Sequence, residues 1–85
     1  MFSNRFQKPI RLTVHAQQRM MERNIPESIV LDLIETGTLK SKDKRHLWLF
    51  KRYPERDDNM LCIAAVNDEV LVVKTITNHW QEIKL

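Results

Sequence analysis

The sequence predicts an α+β fold in which two N-terminal helices pack on a three-stranded antiparallel sheet, in the order ααβββ. Two observations lead to this prediction. Helix-forming segments with clustered apolar residues precede Gly37, the single glycine of the chain, and short runs rich in β-branched and aromatic residues follow it. A chain of 85 residues has room for one hydrophobic core, so residues 1–85 are expected to form a single domain.

The first helix is expected over residues 14–23. Thr13 can accept a backbone hydrogen bond as its N-cap, and the segment VHAQQRMMERN is rich in residues of high helix propensity. The second helix is expected over residues 27–36, because Pro26 fits a first helical turn and apolar residues cluster in SIVLDLIET. Gly37 is expected to end this helix in the left-handed conformation.

Three strands are expected to follow, in the runs HLWLFKRY, MLCIAAV and VLVVKTIT. The turn-prone segments PERDDN and NDE separate them, as in hairpins. Alternation does not decide which face of the sheet meets the helices, and KPIRL could add a short N-terminal edge strand. The expected organisation is an N-terminal arm over residues 1–12, two helices over 13–36, an antiparallel sheet over 46–77 and a tail over 78–85.

The composition excludes several classes of protein. No apolar run approaches the ~20 residues of a membrane helix, and the first residues lack the apolar core of a secretory signal, so a cytoplasmic location is expected. One glycine cannot build a glycine-rich phosphate loop, and three isolated histidines with one cysteine form no metal-ligand motif. We therefore expect no cofactor, no metal and no membrane contact, and a buried Cys62 thiol.

The basic residues are concentrated in two parts of the chain. The net charge is +3, but residues 1–25 carry five Lys or Arg and one acid, and residues 38–56 carry seven Lys or Arg and two acids. A fold that brings these segments together would present a positive surface to RNA, to the ribosome or to an acidic protein partner such as an antitoxin. The alternative is solvated charge without a ligand.

The first helix carries a basic stripe that borders its apolar side. His15, Arg19 and Arg23 recur every four residues and lie next to the side that contains Ala16 and Met20. In RNA cleavage without a metal, an imidazole could accept the 2′-hydroxyl proton while the cations stabilise charge on the phosphate. The alternatives are structural. His15 could bond to the sheet, and Arg23 could form an ion pair with an acid of the second helix.

Other candidate residues lie in the predicted strands and in the tail. Lys51, Arg52 and Tyr53 end the first strand, where cations beside an aromatic ring can bind phosphate and a stacked base or simply form a solvated turn. Lys74 interrupts an apolar run, so it either extends from an edge into water or faces an open side of the sheet. The tail residues His79 and Trp80 could cover the sheet or stack on a base.

The signature H-A-x-x-R-M-x-x-R-x-I, from His15 to Ile25, is followed by Pro26, an apolar helix and three expected strands. This pattern resembles a family of small bacterial domains of unknown function, DUF4258, over about residues 12–77. That family is similar in architecture to RelE-like toxins and colicin-type tRNases, which cleave RNA without a metal ion. The resemblance therefore implies a compact α+β domain with possible endoribonuclease activity. Because catalytic residues vary among those proteins, none is transferred to this chain.

The first functional hypothesis is a RelE-like, metal-independent endoribonuclease toxin. The alternatives are a non-catalytic RNA- or protein-binding module, and a structural protein that forms a homodimer through the less covered face of the sheet. The catalytic candidates are His15, Arg19, Arg52 and Lys74. The candidates for RNA binding are Arg23, Lys51, Tyr53 and Trp80.

Overall fold

The structure, a computed structural model, describes residues 1–56 and 60–79. Within these residues two strands are followed by two helices and then by four more strands, and all six strands belong to one sheet. The elements are β1 (Phe2–Ser3), β2 (Lys8–Leu12), α1 (Val14–Glu22), α2 (Glu27–Thr36), β3 (Thr38–Ser41), β4 (His46–Arg52), β5 (Met60–Asn67) and β6 (Leu71–His79).

The α+β class, the two helices and the three consecutive strands β4, β5 and β6 are as predicted, but the prediction of a three-stranded antiparallel sheet is wrong. The described strands form one mixed sheet in the order β1-β2-β6-β5-β4-β3. The pair β2–β6 is parallel and the other pairs are antiparallel. Helix α2 contacts β1 as well as β4 and β5, so the sheet curls around the helices.

The three additional strands are short and carry little sequence signal. KPIRL, anticipated as a possible edge strand, is β2 and lies inside the sheet, where Ile10 pairs with Leu71 and Leu12 with Val73. Strand β3 follows Gly37 directly, and all of its residues are exposed. An edge strand without a buried face lacks the alternation from which strands are recognised.

Both helices begin where the sequence predicts, and α1 also begins with the predicted cap. The Thr13 hydroxyl accepts a hydrogen bond from the backbone N–H of Ala16 at 3.0 Å. After α1 ends, Asn24 adopts a left-handed conformation with φ of 53°. The guanidinium of Arg56 donates to the carbonyls of Arg23 and Asn24, at 2.8 and 3.0 Å. A cation from the β4–β5 connection therefore binds the negative end of α1.

Gly37 does not adopt the predicted left-handed conformation. Its φ of −70° and ψ of 163° are extended. Glycine is required here by close packing, because a Cβ atom would lie 2.4 Å from the Leu33 carbonyl oxygen and 3.2 Å from that of Phe50. The end of α2 thus packs directly against the backbone of β4.

The main core lies between the helices and one face of the sheet, so the structure decides which face the helices cover. On β4, Leu47 and Leu49 face the helices, whereas Phe50 lies on the opposite face. Phe50, Met60 and Cys62 form a second buried cluster there. The expected burial of Cys62 is confirmed, and burial raises the pKa of its thiol to about 11.

The N-terminal segment is fastened to α2 by one carboxylate. Glu35 accepts hydrogen bonds from the backbone N–H groups of Asn4 and Arg5, at 2.6 and 2.8 Å, and from the hydroxyl of the fully buried Ser3. The Arg5 guanidinium donates to the carbonyl of Gly37 at 2.7 Å, just after the helix. These bonds hold β1 and its following turn against the end of α2.

A polar cluster joins α2 to β4. Asp32 Oδ2 accepts hydrogen bonds from the Tyr53 hydroxyl at 2.6 Å and from Lys51 Nζ at 2.8 Å, and Lys51 Nζ also donates to Thr36 Oγ1. The hydrogen bonds from Lys51 and then from Tyr53 lower the pKa of Asp32. Burial, and then the bond to Asp32, raise the pKa of Tyr53.

We expect Glu35→Gln to loosen the N-terminal segment. A carboxamide accepts fewer hydrogen bonds than a carboxylate and carries no charge, so unfolding should become easier by ~1–2 kcal/mol. Amide hydrogen exchange at Asn4 and Arg5 should accelerate more than exchange in β5. Glu69→Gln is the matched control, since Glu69 is exposed and forms no hydrogen bond or ion pair among the described residues. Equal effects of the two variants would contradict the role of Glu35.

We expect Asp32→Asn to change the pH dependence of stability. Because folding lowers the pKa of Asp32, its contribution is present at neutral pH and is lost as the pH falls through the lowered pKa. The side chains of Asp32 and Lys51 are 41% and 35% exposed, so the variant should lose no more than ~1 kcal/mol at neutral pH. Denaturant titrations should show this difference narrowing as the pH falls from about 5 towards and through the lowered pKa of Asp32. A difference independent of pH would contradict the assignment.

Candidate functional site

The beginning of α1 lies directly beside Lys74 in β6. The backbone N–H of Thr13 donates to the Val73 carbonyl at 3.2 Å, and its hydroxyl donates to the Lys74 carbonyl at 2.8 Å. Lys74 has no paired residue in β5, because Thr75 pairs with Ala64 and Val73 with Ala65. It is therefore the extra residue of a β-bulge, a feature that redirects a strand and its side chains.

His15 lies in the first turn of α1 and is exposed to solvent. Within residues 1–56 and 60–79 it forms no hydrogen bond or ion pair. The alternative in which His15 bonds to the sheet is thus not observed. An exposed imidazole at the start of a helix is accessible to a ligand.

Arg19 lies one turn after His15 on the same side of α1. Its Nη1 is 3.7 Å from a carboxylate oxygen of Glu22, a weak contact on an exposed helix surface. Its Nε is buried and has no hydrogen-bond partner. Because this nitrogen has no accessible surface, a ligand from solvent can reach only the remaining part of the Arg19 side chain, which is 36% exposed.

Three of the four catalytic candidates therefore lie on α1 or beside it. His15 is in the first turn, Arg19 follows one turn later in the last turn, and the backbone of Lys74 is bonded to the residue that caps the helix. The N-terminal end of a helix carries a partial positive charge, and two basic residues, Arg19 and Lys74, lie along the same helix or next to its cap. This arrangement favours an anionic ligand, and phosphate groups in particular.

Arg52 is not part of this arrangement. It pairs with Met60, which pairs with His79, so Arg52 lies two strands across and five residues along from Lys74. Strand spacings of about 4.8 Å and a rise of about 3.3 Å per residue give a Cα separation of about 19 Å. Arg52 also lies on the face of the sheet opposite Leu49 and the helices.

The candidates for RNA binding occupy different environments. Lys51 and the buried Tyr53 are bonded to Asp32 within the polar cluster, so neither is free at the surface. Arg23 is exposed and forms no ion pair in the part of the chain that the structure describes, so the alternative of a structural ion pair is not observed. Trp80 lies outside the described residues, as does the side chain of His79.

Thr13 has a second role, besides capping α1, that the sequence does not predict. Its hydroxyl caps α1 and also fixes the Lys74 carbonyl, which is 61 positions away along the chain. No local signal could reveal a contact between residues so far apart. The capping preference of threonine predicts only the first role.

Two further features of the described residues bear on the class of site. No group of three or more His, Cys, Asp or Glu side chains in residues 1–56 and 60–79 is placed to hold a metal ion. Neither helix has the length and apolar character needed to cross a membrane.

Comparison with known proteins identifies one family. A family model described as a domain of unknown function, DUF4258, matches residues 12–78, from the last residue of β2 to the penultimate residue of β6. No curated protein and no solved structure matches the chain, so the likeness to RelE-like toxins stays a prediction. The match includes the segment from His15 to Ile25 and spans well over half of the chain. The chain therefore belongs to the DUF4258 family of domains of unknown function.

Proposed function

We propose that this domain binds RNA at the beginning of α1 and cleaves it without a metal ion, with His15 as the general base. The observation that carries the proposal is the exposed His15 in the first turn of α1, with the partly exposed Arg19 one turn further along the helix and the backbone of the bulged Lys74 bonded to the N-cap.

The binding step depends on Arg19 and Lys74. An arginine presents several N–H donors to phosphate oxygens, and the accessible part of the Arg19 guanidinium would bind a phosphate beside the helix. The hydrogen bond from Thr13 fixes the backbone of Lys74 beside the same helix end. Arg23 extends the positive surface along the helix, to which a neighbouring phosphate of the same strand can bind.

The chemical step uses the ribose of the substrate itself. The imidazole of His15 accepts the proton of a 2′-hydroxyl group, whose oxygen then attacks the adjacent phosphorus. Arg19 and Lys74 stabilise the negative charge that develops on the phosphate oxygens. The 5′-oxygen of the next nucleotide leaves and takes a proton from water. The products are a 2′,3′-cyclic phosphate and a 5′-hydroxyl end.

One observation favours the second candidate function, a non-catalytic RNA-binding module. In known acid–base sites a second group usually orients the imidazole, and no described residue contacts the ring of His15. In that case Arg19 and Lys74 bind phosphate at the same place and His15 contributes only a contact. The two functions share a binding site and differ in whether the RNA is cut.

The decisive experiment measures cleavage and binding with the same variants. Purified protein is incubated with labelled single-stranded RNA, with and without ribosomes and in the presence of a chelator, and the new ends are mapped. His15→Ala should reduce cleavage by about 100-fold or more and leave binding nearly unchanged. Lys74→Ala should weaken binding and lower the slope of log affinity against log salt by about 0.7, the value for one phosphate contact with a single strand.

Lys44→Ala is the matched control, because Lys44 is an exposed lysine in the β3–β4 connection and has no partner among the described residues. It should alter neither cleavage nor binding. Binding that responds to Lys74 without any cleavage by the wild-type protein would establish the non-catalytic function. Equal effects of the Lys44 and Lys74 variants would contradict the proposed site.

A further inference from the structure

Helix α1 exposes two large apolar side chains on one side. Val14 is 72% and Met21 is 81% exposed, the highest values among the exposed large hydrophobic residues of the described chain. They are seven residues apart, which places them two turns apart on the same side of the helix. We name Val14 and Met21 the apolar ridge. In a protein whose core buries most other large apolar groups, such a ridge is typical of an interface.

An apolar groove runs beside the ridge. It lies between α1, β2 and the beginning of α2, and its volume is about 840 Å³. The apolar lining includes Ile10, Leu12, Met20, Met21 and Ile25. Flexible methionine side chains adapt readily to an apolar partner. The same chain therefore presents a convex apolar ridge next to a concave apolar groove.

The groove carries one cation and one anion at its two ends. Arg11 lies just before α1 and Glu27 lies just after it, and both line the groove. Neither side chain has a partner among residues 1–56 and 60–79.

We propose that this surface is the interface of a homodimer in which the α1 helices of two copies pack antiparallel about a two-fold axis. A two-fold axis reverses one helix relative to the other, so the ridge of each copy enters the groove of the other. The same rotation places Arg11 beside Glu27 of the partner subunit, and it does so twice. A second copy thus buries the apolar ridge and pairs both Arg11 and Glu27 with an opposite charge.

The proposed interface lies away from the proposed RNA site. Around α1, Val14 and Met21 are about 140–160° from Arg19 and about 100–120° from His15. Dimerisation leaves the basic side of both helices open to solvent. The inference therefore stands independently of the proposed function, because it depends on the opposite side of the helix.

The apolar part of the interface is tested by sedimentation velocity over an approximately hundredfold range of protein concentration. We expect the wild-type chain to form a dimer, and Met21→Glu to raise the dissociation constant by about tenfold or more. Leu39→Glu is the control, since Leu39 is an exposed apolar residue on the edge strand β3, outside the groove. Circular dichroism melts verify that each variant is folded. A wild-type chain that stays monomeric throughout would overturn the proposal.

The charges allow a sharper test. Arg11→Glu and Glu27→Arg each place like charges against each other at both ends, so each variant alone should be monomeric where the wild-type chain is a dimer. An equimolar mixture of the two should recover the dimer, because every contact in the mixed pair again joins opposite charges. The double variant should recover it as well. A dimer that persists in the single variants, or that fails to return on mixing, would show that another surface is used.

Discussion

The parallel pairing of β2 with β6 is the constraint on which the rest of the structure depends. It joins the segment before the helices to the last described strand. Ile10 therefore lies beside Leu71, although the two residues are far apart in the sequence. Thr13 continues this connection, because its backbone and its hydroxyl bond to the carbonyls of Val73 and Lys74. The position of α1, and with it the positive site at its N-terminus, follows from that pairing. The groove beside α1 has the same origin, since β2 forms one of its walls.

The sequence predicts correctly those elements whose formation depends on residues that are neighbours in the chain. The bounds of α2 and the cap at Thr13 follow from propensity, and the strands β4 to β6 follow from β-branched runs between turn-prone segments. The sheet itself was mispredicted because β2–β6 pairing joins distant residues and β3 has no buried face. Gly37 was misread for a related reason. Its role depends on the approach of Phe50 from another strand, which no neighbouring residue indicates.

In the candidate site, too, the sequence predicts relations between neighbouring residues but not contacts between residues that are far apart in the chain. The spacing of His15 and Arg19 predicts correctly that they share one side of α1, because helical geometry is local. The sequence names Lys74 as a catalytic candidate, but it does not indicate that Lys74 lies beside the cap of α1, because this depends on a bulge and on a contact across 61 positions. Lys51 resembled a phosphate ligand in its basic segment, yet it bonds to Asp32 of α2. Lys51 is thus held by an internal carboxylate, whereas the Lys74 side chain has no such partner among the described residues.

The dependence of the site on β6 has a consequence for the newly made chain. On the ribosome, residues 13–23 emerge well before residues 71–79, and helix α1 has no fixed position until the last strand pairs with β2. Long-range parallel pairing is also slow to form, because a long loop must close, at a cost in entropy, before any stabilising contact can form. The arrangement around the beginning of α1 therefore forms only after residues 71–79 have emerged. If the domain acts on RNA, the ribosome that translates it is shielded from it until β6 has left the exit tunnel.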